Sequence, residues 1–517
     1  MARRAQPVSP ALGLCAAALV AALLLGALLA TILRAEGWNL LGPADWSAVR
    51  FTVLQAALSA LISVLLAIPV ARALARRRFP GRGLVVTLLG APFLLPAIVA
   101  VLGLLTVFGR AGWVSQLLAT LGQDPIHIYG LHGVVFAHVF FNLPLATRLI
   151  LQGWQDIPAE RFRLAIHLGA SPLGFFRLVE GPMLRRIVPS ALAVIFAICL
   201  TSFAVALTLG GGPRATTIEL AIYQAFRFDF DLGRAALLAV LQIFVTMTAG
   251  MVAISFGMSS TSAPGLDRPG LRWPKARGQV ALDSIWIVLA TAFLIAPLLA
   301  IVWRGLPGLT DLPLSVFKAA AASLGIALLS TAVALALAIP LALSAATGRA
   351  RLAEAAGLLS LAVSPLVIGT GLFLLLRPLA NPGDLAIPVT AGVNAIMSLP
   401  FCLRILAPRA IEIVADHGRL GLALNMSGWS FWRLILWRRM RPQIGFAAGI
   451  AAALSIGDLG VIALFANPDF ATLPLQVFRL MGTYQMEAAA GASLLLFVLS
   501  LGLFSLFDIG GRWRAGT

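Results

Sequence analysis

Charged side chains are scarce in this sequence of 517 residues, of which 11% are Asp, Glu, Lys or Arg and 60% are hydrophobic. An average soluble domain carries roughly 25% charged residues. The chain therefore has too few charges to cover a water-exposed surface, which excludes an ordinary soluble protein. The composition favours a polytopic membrane protein, with the lipid bilayer as its surroundings.

Acidic residues are the rarer of the charged types, with 20 Asp and Glu against 38 Lys and Arg, a net charge of +18. The basic residues are scattered among apolar segments and are not gathered on one soluble domain, as nucleic-acid binding would require. A membrane protein with large cytosolic loops has this balance. We therefore predict no nucleic-acid partner.

Cysteine, histidine and catalytic motifs are also sparse. No Walker motif, Gly-x-Ser-x-Gly elbow or usefully spaced carboxylate pair is present, so we predict a chain that is not itself an enzyme and has no cofactor. Three of the five histidines, His127, His132 and His138, surround one predicted outer loop. A metal site needs convergent ligands, and we predict no metal site there. The three cysteines lie in apolar runs, and we expect them to be small buried hydrophobes: Cys15, Cys199 and Cys402.

Twelve stretches are apolar over about 20 residues, the length that crosses a bilayer as a helix. The sequence therefore predicts an all-α polytopic membrane protein with about 12 transmembrane helices. The first stretch is longer than the roughly 7–15 residues of a signal-peptide core, so we expect it to be retained. The predicted spans are 12–33, 51–73, 84–108, 129–152, 187–209, 234–256, 282–303, 319–346, 354–376, 387–407, 444–465 and 487–508.

The placement of Lys and Arg predicts the orientation. With the N-terminus in the cytoplasm and twelve alternating helices, most of the 38 basic residues fall on the cytoplasmic side. The first inner loop alone is crowded with arginines from Arg72 to Arg82. Because cytoplasmic loops of membrane proteins are enriched in Lys and Arg, we predict that both termini are cytoplasmic.

A stretch of 44 residues occurs twice. Residues 143–186 align without a gap to residues 399–442, 256 positions later, and 13 of the 44 positions are identical. Each copy is polar and basic and lies between long apolar segments. In the predicted topology both copies face the cytoplasm, which the alignment itself did not require.

The repeat extends to the whole of each half. Leu66–Pro69 recurs at Leu337–Pro340, and Pro96 pairs with Pro365 at an offset of 269. The offset then drops to 256, which places about 13 extra residues of the first half in the outer loop 109–130. Six helices in the same order and orientation form a parallel repeat, with a pseudo-two-fold axis along the membrane normal and room for a central path.

Each copy of the 44-residue stretch predicts a short helix after Pro158 or its partner Val414. A transmembrane helix uses its backbone groups internally, whereas a short helix outside the bilayer can enter a groove of a partner. An interfacial helix lying on anionic lipid is the alternative. Two copies at matched positions favour docking to a two-fold partner.

The first copy resembles the EAA loop of ATP-binding-cassette importer permeases, whose consensus is Glu-Ala-Ala, three residues, Gly, nine residues, then Ile-x-Leu-Pro. Arg163 stands at the acidic position, and the second copy departs further. The resemblance implies two ATPase-coupling loops. The residues of loop 1 are Arg163, Leu164, Ala165, Gly169, Phe175, Arg177 and Pro182, and those of loop 2 are Arg419, Leu420, Gly421, Asn425, Phe431, Arg433 and Arg438.

The resemblance covers essentially the whole chain. Double-length permeases with two EAA loops are similar to iron(III) and thiamine importers, and four segments resemble the thiamine and thiamine pyrophosphate permeases: Arg76–Arg82, Ala137–Pro144, Gly210–Ala225 and Leu454–Phe465. This family implies a type I importer permease, a periplasmic substrate-binding protein and two copies of a cytoplasmic ATPase. It also implies a multi-pass protein of the bacterial cytoplasmic (inner) membrane.

The repeat and the resemblance together divide the chain. We predict a first six-helix half at 1–258, with a transporter core at about 47–256. A Pro- and Gly-rich basic linker follows at 259–278. The second half is 279–517, with its core at about 319–508.

Asp458 is the one carboxylate deep within a predicted apolar span, which makes it a candidate for the translocation path. The competing interpretation is a structural hydrogen bond or salt bridge between helices. Arg148 and Arg404, at equivalent helix ends, are expected to reach toward lipid headgroups. The glycine-rich segment 210–217 lacks the Lys-Ser or Lys-Thr of a phosphate-binding loop, and we predict an outer turn there.

The sequence therefore predicts the transmembrane subunit of an ATP-driven importer that carries thiamine, thiamine pyrophosphate or both. An iron(III) importer permease is one alternative. A secondary transporter with six-plus-six repeats is another, and it would be expected to carry more ionisable residues within the membrane.

Overall fold

The structure, a computed structural model, describes residues 9–35, 41–90, 94–212, 215–255, 278–381, 383–465 and 470–512. Within these ranges the chain is a bundle of helices without a strand. The first half comprises α1 Ala11–Arg34, α2 Pro43–Arg76, α3 Arg82–Leu88, α4 Ala97–Phe108, α5 Trp113–Thr120, α6 Leu131–Gln155, α7 Ala159–His167, α8 Pro172–Phe175, α9 Gly181–Leu200, α10 Phe203–Leu209, α11 Ile218–Arg227 and α12 Leu232–Ser255. The second half comprises α13 Gln279–Gly308, α14 Leu314–Ser344, α15 Ala350–Ala362, α16 Pro365–Leu376, α17 Ala386–Ala423, α18 Trp429–Phe431, α19 Trp437–Ile456, α20 Gly460–Phe465, α21 Leu473–Gly482 and α22 Met486–Arg512.

The all-α polytopic fold predicted from the sequence is confirmed. Among the described residues, eleven helical segments are long and apolar enough to cross a membrane, and some of them join two of the helices named above, as Ala97–Thr120 joins α4 and α5. The predicted span 84–108 is divided between α3 and α4, which begins after Pro96. The predicted span 354–376 is divided between α15 and α16, because Pro365 begins a new helix and Ser364 caps it. A residue before proline avoids the helical conformation, which explains the break. Most of the predicted linker 259–278 lies outside the described residues.

Ion pairs and hydrogen bonds show which helix ends meet. At one end of the bundle, Arg77, which caps the end of α2, pairs with Asp283 of α13 at 2.6 Å, and Arg441 of α19 donates to the Gly510 carbonyl of α22 at 3.3 Å. This end also carries both copies of the repeated loop, and we call it the loop face. At the opposite end, the far face, Arg234 of α12 pairs with Asp45 of α2 at 2.7 Å.

The first helix of each half packs against the other half. α1 contacts α14, α15 and α16, while α13 contacts α2 and α4. Glycine permits these contacts: a Cβ on Gly371 would lie 2.2 Å from the Ala27 carbonyl oxygen, and a Cβ on Gly103 would lie 2.7 Å from that of Pro297. Small residues allow helix backbones to approach closely within a membrane. The exchange of first helices ties the two halves into one bundle.

The extra residues of the first half lie where the repeat predicted them. Between α4 and α6 the chain has 22 residues, whereas between α16 and α17 it has 9, a difference of 13. Helix α5 occupies this insertion on the far face. Of the cysteines, Cys199 and Cys402 are buried as predicted, but Cys15 is exposed, because it lies on the outer side of α1.

Candidate functional site

Loop 1 is built from breaks in the helix. α6 ends at Gln155, Pro158 precedes the first turn of α7, and α7 ends at His167. Ser171 then caps α8 by accepting a hydrogen bond from the Gly174 amide at 3.1 Å. Because proline suits the start of a helix, Pro158 marks α7 as an element separate from α6.

Loop 2 differs from the prediction at its start. The sequence predicted a short helix after Val414, but α17 runs without a break from Ala386 to Ala423. Val414 stands where the first half has Pro158, and valine does not interrupt a helix as proline does. The transmembrane helix therefore continues directly into the loop-face segment of the second half.

Both loops turn at the same position despite different residues. Gly169 and Asn425 have φ of 63° and 54°. After Gly169, the Ala170 amide donates to the Ala165 carbonyl at 3.0 Å, and after Asn425, the Met426 amide donates to the Gly421 carbonyl at 2.7 Å. Asparagine is among the residues that most readily take the left-handed conformation after glycine. The departure from the consensus glycine therefore leaves the turn intact.

A phenylalanine anchors each turn. Phe175 and Phe431 are completely buried, and the Phe175 ring lies 5.3 Å from that of Phe162 on α7. In loop 2, a Cβ on Gly421 would come within 2.6 Å of the Phe431 ring. Glycine at this position thus lets Phe431 pack against the end of α17, where loop 1 has Ala165.

The two loops share four exposed apolar positions. Their side chains are between 47% and 72% exposed, although each is large and hydrophobic. Contiguous exposed apolar surface marks an interaction site. The four residues of loop 1, Leu164, Leu168, Leu173 and Leu178, correspond to Leu420, Leu424, Trp429 and Leu434 of loop 2.

Most of the other predicted loop residues are also exposed on the loop face. Arg163, Arg177 and Pro182 are exposed in loop 1, as are Arg419, Arg433 and Arg438 in loop 2. Ala165 and Gly421, by contrast, are buried beneath the turns. Each loop thus presents arginines beside its exposed apolar residues. Arg148 of α6 and Arg404 of α17, which were expected at helix ends, lie within these helices and are exposed as well.

An ion pair attaches loop 1 to the transmembrane bundle. Glu180 is completely buried and pairs with Arg72 at 2.6 Å and with Arg76 at 3.6 Å. The repeat places Leu436 at the position of Glu180 and Leu343 at that of Arg72, and both leucines belong to one apolar cluster. The two loops are therefore attached by different chemistry, charged in the first half and apolar in the second.

Four helix breaks meet around a cavity of about 220 Å³ between the halves. α9 breaks before α10 at Thr201 and Ser202, and α19 breaks before α20 at Gly457 and Asp458, which are the equivalent positions of the repeat. The first residues of α4 and α16 complete the walls. α9 and α19 each have 20 residues, or about 30 Å of helix, so the cavity lies toward the far face.

Asp458 lines this cavity, in agreement with its place in an apolar span. Its Oδ1 accepts a hydrogen bond from the Gly460 amide at 3.2 Å, at the start of α20. Its Oδ2 has no hydrogen-bond partner among the described residues, and the carboxylate forms no ion pair with any of them. The interhelical salt bridge considered from the sequence is therefore absent among the described residues, whereas the side-chain amide of Asn394 on α17 lies close enough to stabilise the carboxylate by a hydrogen bond, so the structural alternative stands as a hydrogen bond.

Sequence reasoning missed a second carboxylate at the cavity, Glu219 of α11. Glu219 lies within Gly210–Ala225, a segment that the sequence linked to the thiamine permeases without singling out its carboxylate. The position equivalent to Glu219 in the second half is Pro474. The signal available in the sequence was a carboxylate next to the apolar start of a helix. The walls also include Phe203, whose ring lies 5.3 Å from that of Tyr223 on α11.

The glycine-rich segment turns at the far face as predicted. Gly211 and Gly212 have φ of 76° and 130°, and the nearby Leu209 carbonyl accepts a hydrogen bond from the Gly130 amide at 2.8 Å. Pro213 and Arg214 lie outside the described residues. In the part of the chain that the structure describes, no group of three or more His, Cys, Asp and Glu side chains is arranged to hold a metal ion.

No protein-family model matches the chain. It is similar to the thiamine transport system permease protein ThiP of Salmonella typhimurium, with 41% identity over 529 residues that cover 98% of each chain. ThiP of Escherichia coli is 41% identical over 536 residues, again covering 98% of each chain. ThiP of Brucella abortus is 40% identical over 529 residues, covering 98% of this chain and 97% of that protein. The similarity therefore includes both loops and the cavity.

Proposed function

Because this chain belongs to the family of thiamine transport system permease proteins, we propose that it is the membrane-spanning subunit of an ATP-driven importer of thiamine. The observation that carries the proposal is the full-length identity of about 41% to such permeases. Two matched loops on one face of a two-fold bundle support it. Whether thiamine pyrophosphate is a second substrate is decided by the experiment below.

The partners follow from the kind of system. A permease of an ABC transport system acts with an ATPase and a substrate-binding protein. We propose two ATPase copies, one for each loop, because both loops present the same four exposed apolar positions. A groove on each ATPase would receive these side chains together with the neighbouring arginines. The chain itself supplies the passage and the coupling, and hydrolysis of ATP is assigned to the partner.

The orientation and the division of the chain are part of the proposal. We place the loop face, with both termini, in the cytoplasm of the inner membrane, because the ATPase needs cytoplasmic ATP. The far face then meets the periplasmic binding protein. The halves 1–258 and 279–517, with cores at about 47–256 and 319–508, would rock about the pseudo-two-fold axis. Closing of the ATPases would pull both loops and open the path alternately to each side.

The two alternatives drawn from the sequence are not favoured. The relatives' names specify thiamine and not iron. A secondary transporter would couple transport to ions through ionisable groups in the membrane. The family of this chain is instead defined by permeases of multi-component transport systems.

Uptake of labelled thiamine into proteoliposomes tests the proposal. The vesicles hold the permease with its ATPase, and the binding protein is added outside with thiamine, thiamine pyrophosphate or ferric iron. We expect uptake of thiamine that requires ATP inside the vesicle and the binding protein outside. Uptake driven by an ion gradient without the ATPase, or uptake of ferric iron alone, would refute the proposal.

A further inference from the structure

The central cavity is lined by two acidic side chains without a described basic neighbour. Glu219 and Asp458 both line it, and among the described residues no Lys, Arg or His side chain does. Neither carboxylate forms an ion pair with a described residue. A buried charge without a partner is costly, and within a membrane it usually marks a path or a ligand site.

Glu219 is completely buried and only half satisfied. Its Oε1 accepts a hydrogen bond from Gln242 Nε2 at 3.2 Å, and the same amide group donates to the Leu200 carbonyl at 3.0 Å. Its Oε2 has no partner among the described residues. The first turn of α11, where Glu219 stands, is a favourable place for a negative charge, because helix amides point toward it. Gln242 and the nearby hydroxyl of Ser364 on the opposite half therefore orient the carboxylate, and Oε2 is left for a ligand.

The two carboxylates come from opposite halves and break the two-fold symmetry. Asp458 stands where the first half has Ser202, and Glu219 stands where the second half has Pro474. Each also leaves one oxygen, Oδ2 or Oε2, without a described partner. The cavity thus has a charged side on each half, although the repeat does not require either charge.

We infer that Glu219 and Asp458 together bind the positively charged thiazolium ring of the substrate during its passage, an inference that rests on the proposed function. The cavity of about 220 Å³ is smaller than the ~300–1,000 Å³ typical of ligand pockets, so it suits one ring and not the whole molecule. The ring of Phe203 offers a face for a cation. The absence of basic residues from the described walls makes it unsuitable for a phosphate.

Two substitutions remove the charges and keep the local structure. Glu219→Gln retains an oxygen that can accept from Gln242, and Asp458→Asn retains a helix cap, because Asn caps as well as Asp. In the proteoliposome assay with saturating binding protein, we expect either variant to lower the rate of thiamine uptake about tenfold, equal to ~1.4 kcal/mol. Glu219→Asp, which restores the charge, should recover at least part of the rate. Asp311→Asn, an exposed carboxylate in a loop of the far face, is the control and should transport normally.

The outcomes separate this inference from the proposed function. If the wild type takes up thiamine and both Glu219→Gln and Asp458→Asn take it up equally fast, the cation site is overturned and the proposed function stands. No thiamine uptake by the wild type overturns the function and the site with it. Size-exclusion chromatography identifies a variant that does not assemble. If Glu219→Gln fails in this way, the comparison of Asp458→Asn with Asp458→Glu decides the question.

Discussion

Asn425 adopts the left-handed backbone conformation of its counterpart Gly169, with φ of 54° and 63° respectively. The hydrogen bonds that close the two turns are also the same, from the amide of the residue that follows Gly169 or Asn425 to the carbonyl five positions before that residue. Two residue types thus fulfil one backbone requirement. The loops can diverge in sequence while they keep the geometry by which we propose that they engage the ATPase.

This backbone requirement gives a first prediction. Gly169→Val places a β-branched residue at positive φ, which costs about 1–2 kcal/mol and should disturb loop 1. We expect a lower midpoint of thermal unfolding and weaker retention of the ATPase during purification. Asn425→Gly, which relieves the same requirement in loop 2, is the control and should behave as the wild type. A Gly169→Val protein that retains the ATPase fully would show that the turn is dispensable.

The exposed leucines give a second prediction. Leu164→Asp or Leu420→Asp puts a charge into the proposed ATPase groove, and each should weaken binding about tenfold, equal to ~1.4 kcal/mol. The measurement is the affinity of the purified ATPase for the permease in nanodiscs. Leu379→Asp is the matched control, since Leu379 is 80% exposed but lies in the far-face loop between α16 and α17. Equal affinity in all three variants would contradict docking through these loops.

The ion pair of loop 1 gives a third prediction. Glu180→Leu leaves Arg72 and Arg76 without their buried partner, and breaking such a pair costs about 3–5 kcal/mol. We expect a clearly lower unfolding midpoint. The double variant Arg72→Leu with Glu180→Leu copies the apolar pair of the second half, Leu343 and Leu436, and should recover part of the loss. If the double variant is less stable than Glu180→Leu alone, the equivalence of the two attachments is wrong.

The cavity gives a fourth prediction. A Cβ on Gly457 would lie 3.0 Å from the Pro96 Cα, where the break of α19 meets the start of α4. Gly457→Ala should therefore push these elements apart or block their movement, and thiamine uptake should fall severalfold. Gly392→Ala is the control, because a Cβ there meets nothing within 4 Å. Normal uptake by Gly457→Ala would mean that this contact loosens without consequence during the cycle.

Much of the fold could be predicted from the sequence because hydrophobic length and internal repetition are local signals. The spans, the parallel repeat and the position of the 13 inserted residues all follow from such patterns. The breaks within spans were less predictable. Pro365 signalled one break, whereas no proline signals the break at Gly457, where the chain lies close to Pro96 of the other half.

The candidate site was predicted unevenly for the same reason. The spacing of the loop residues identified two equivalent segments, and the structure brings them to one face. The short helix expected after Val414 was wrong, because valine stands where the first half has Pro158 and α17 continues through this position. Glu219 was missed, because its burial depends on Gln242 of α12 and on the opposite half, neither of which is near it in sequence.

The amino-acid sequence by itself determined that the chain is a membrane protein of two like halves with two basic loops, because composition and repetition need no knowledge of packing. Only the tertiary structure decided which halves the first helices contact, which loop residues are exposed and which carboxylates share a cavity. Those properties depend on contacts between residues far apart in the chain. The physical reason is that burial and charge compensation depend on three-dimensional position, and that position is established only when the chain folds.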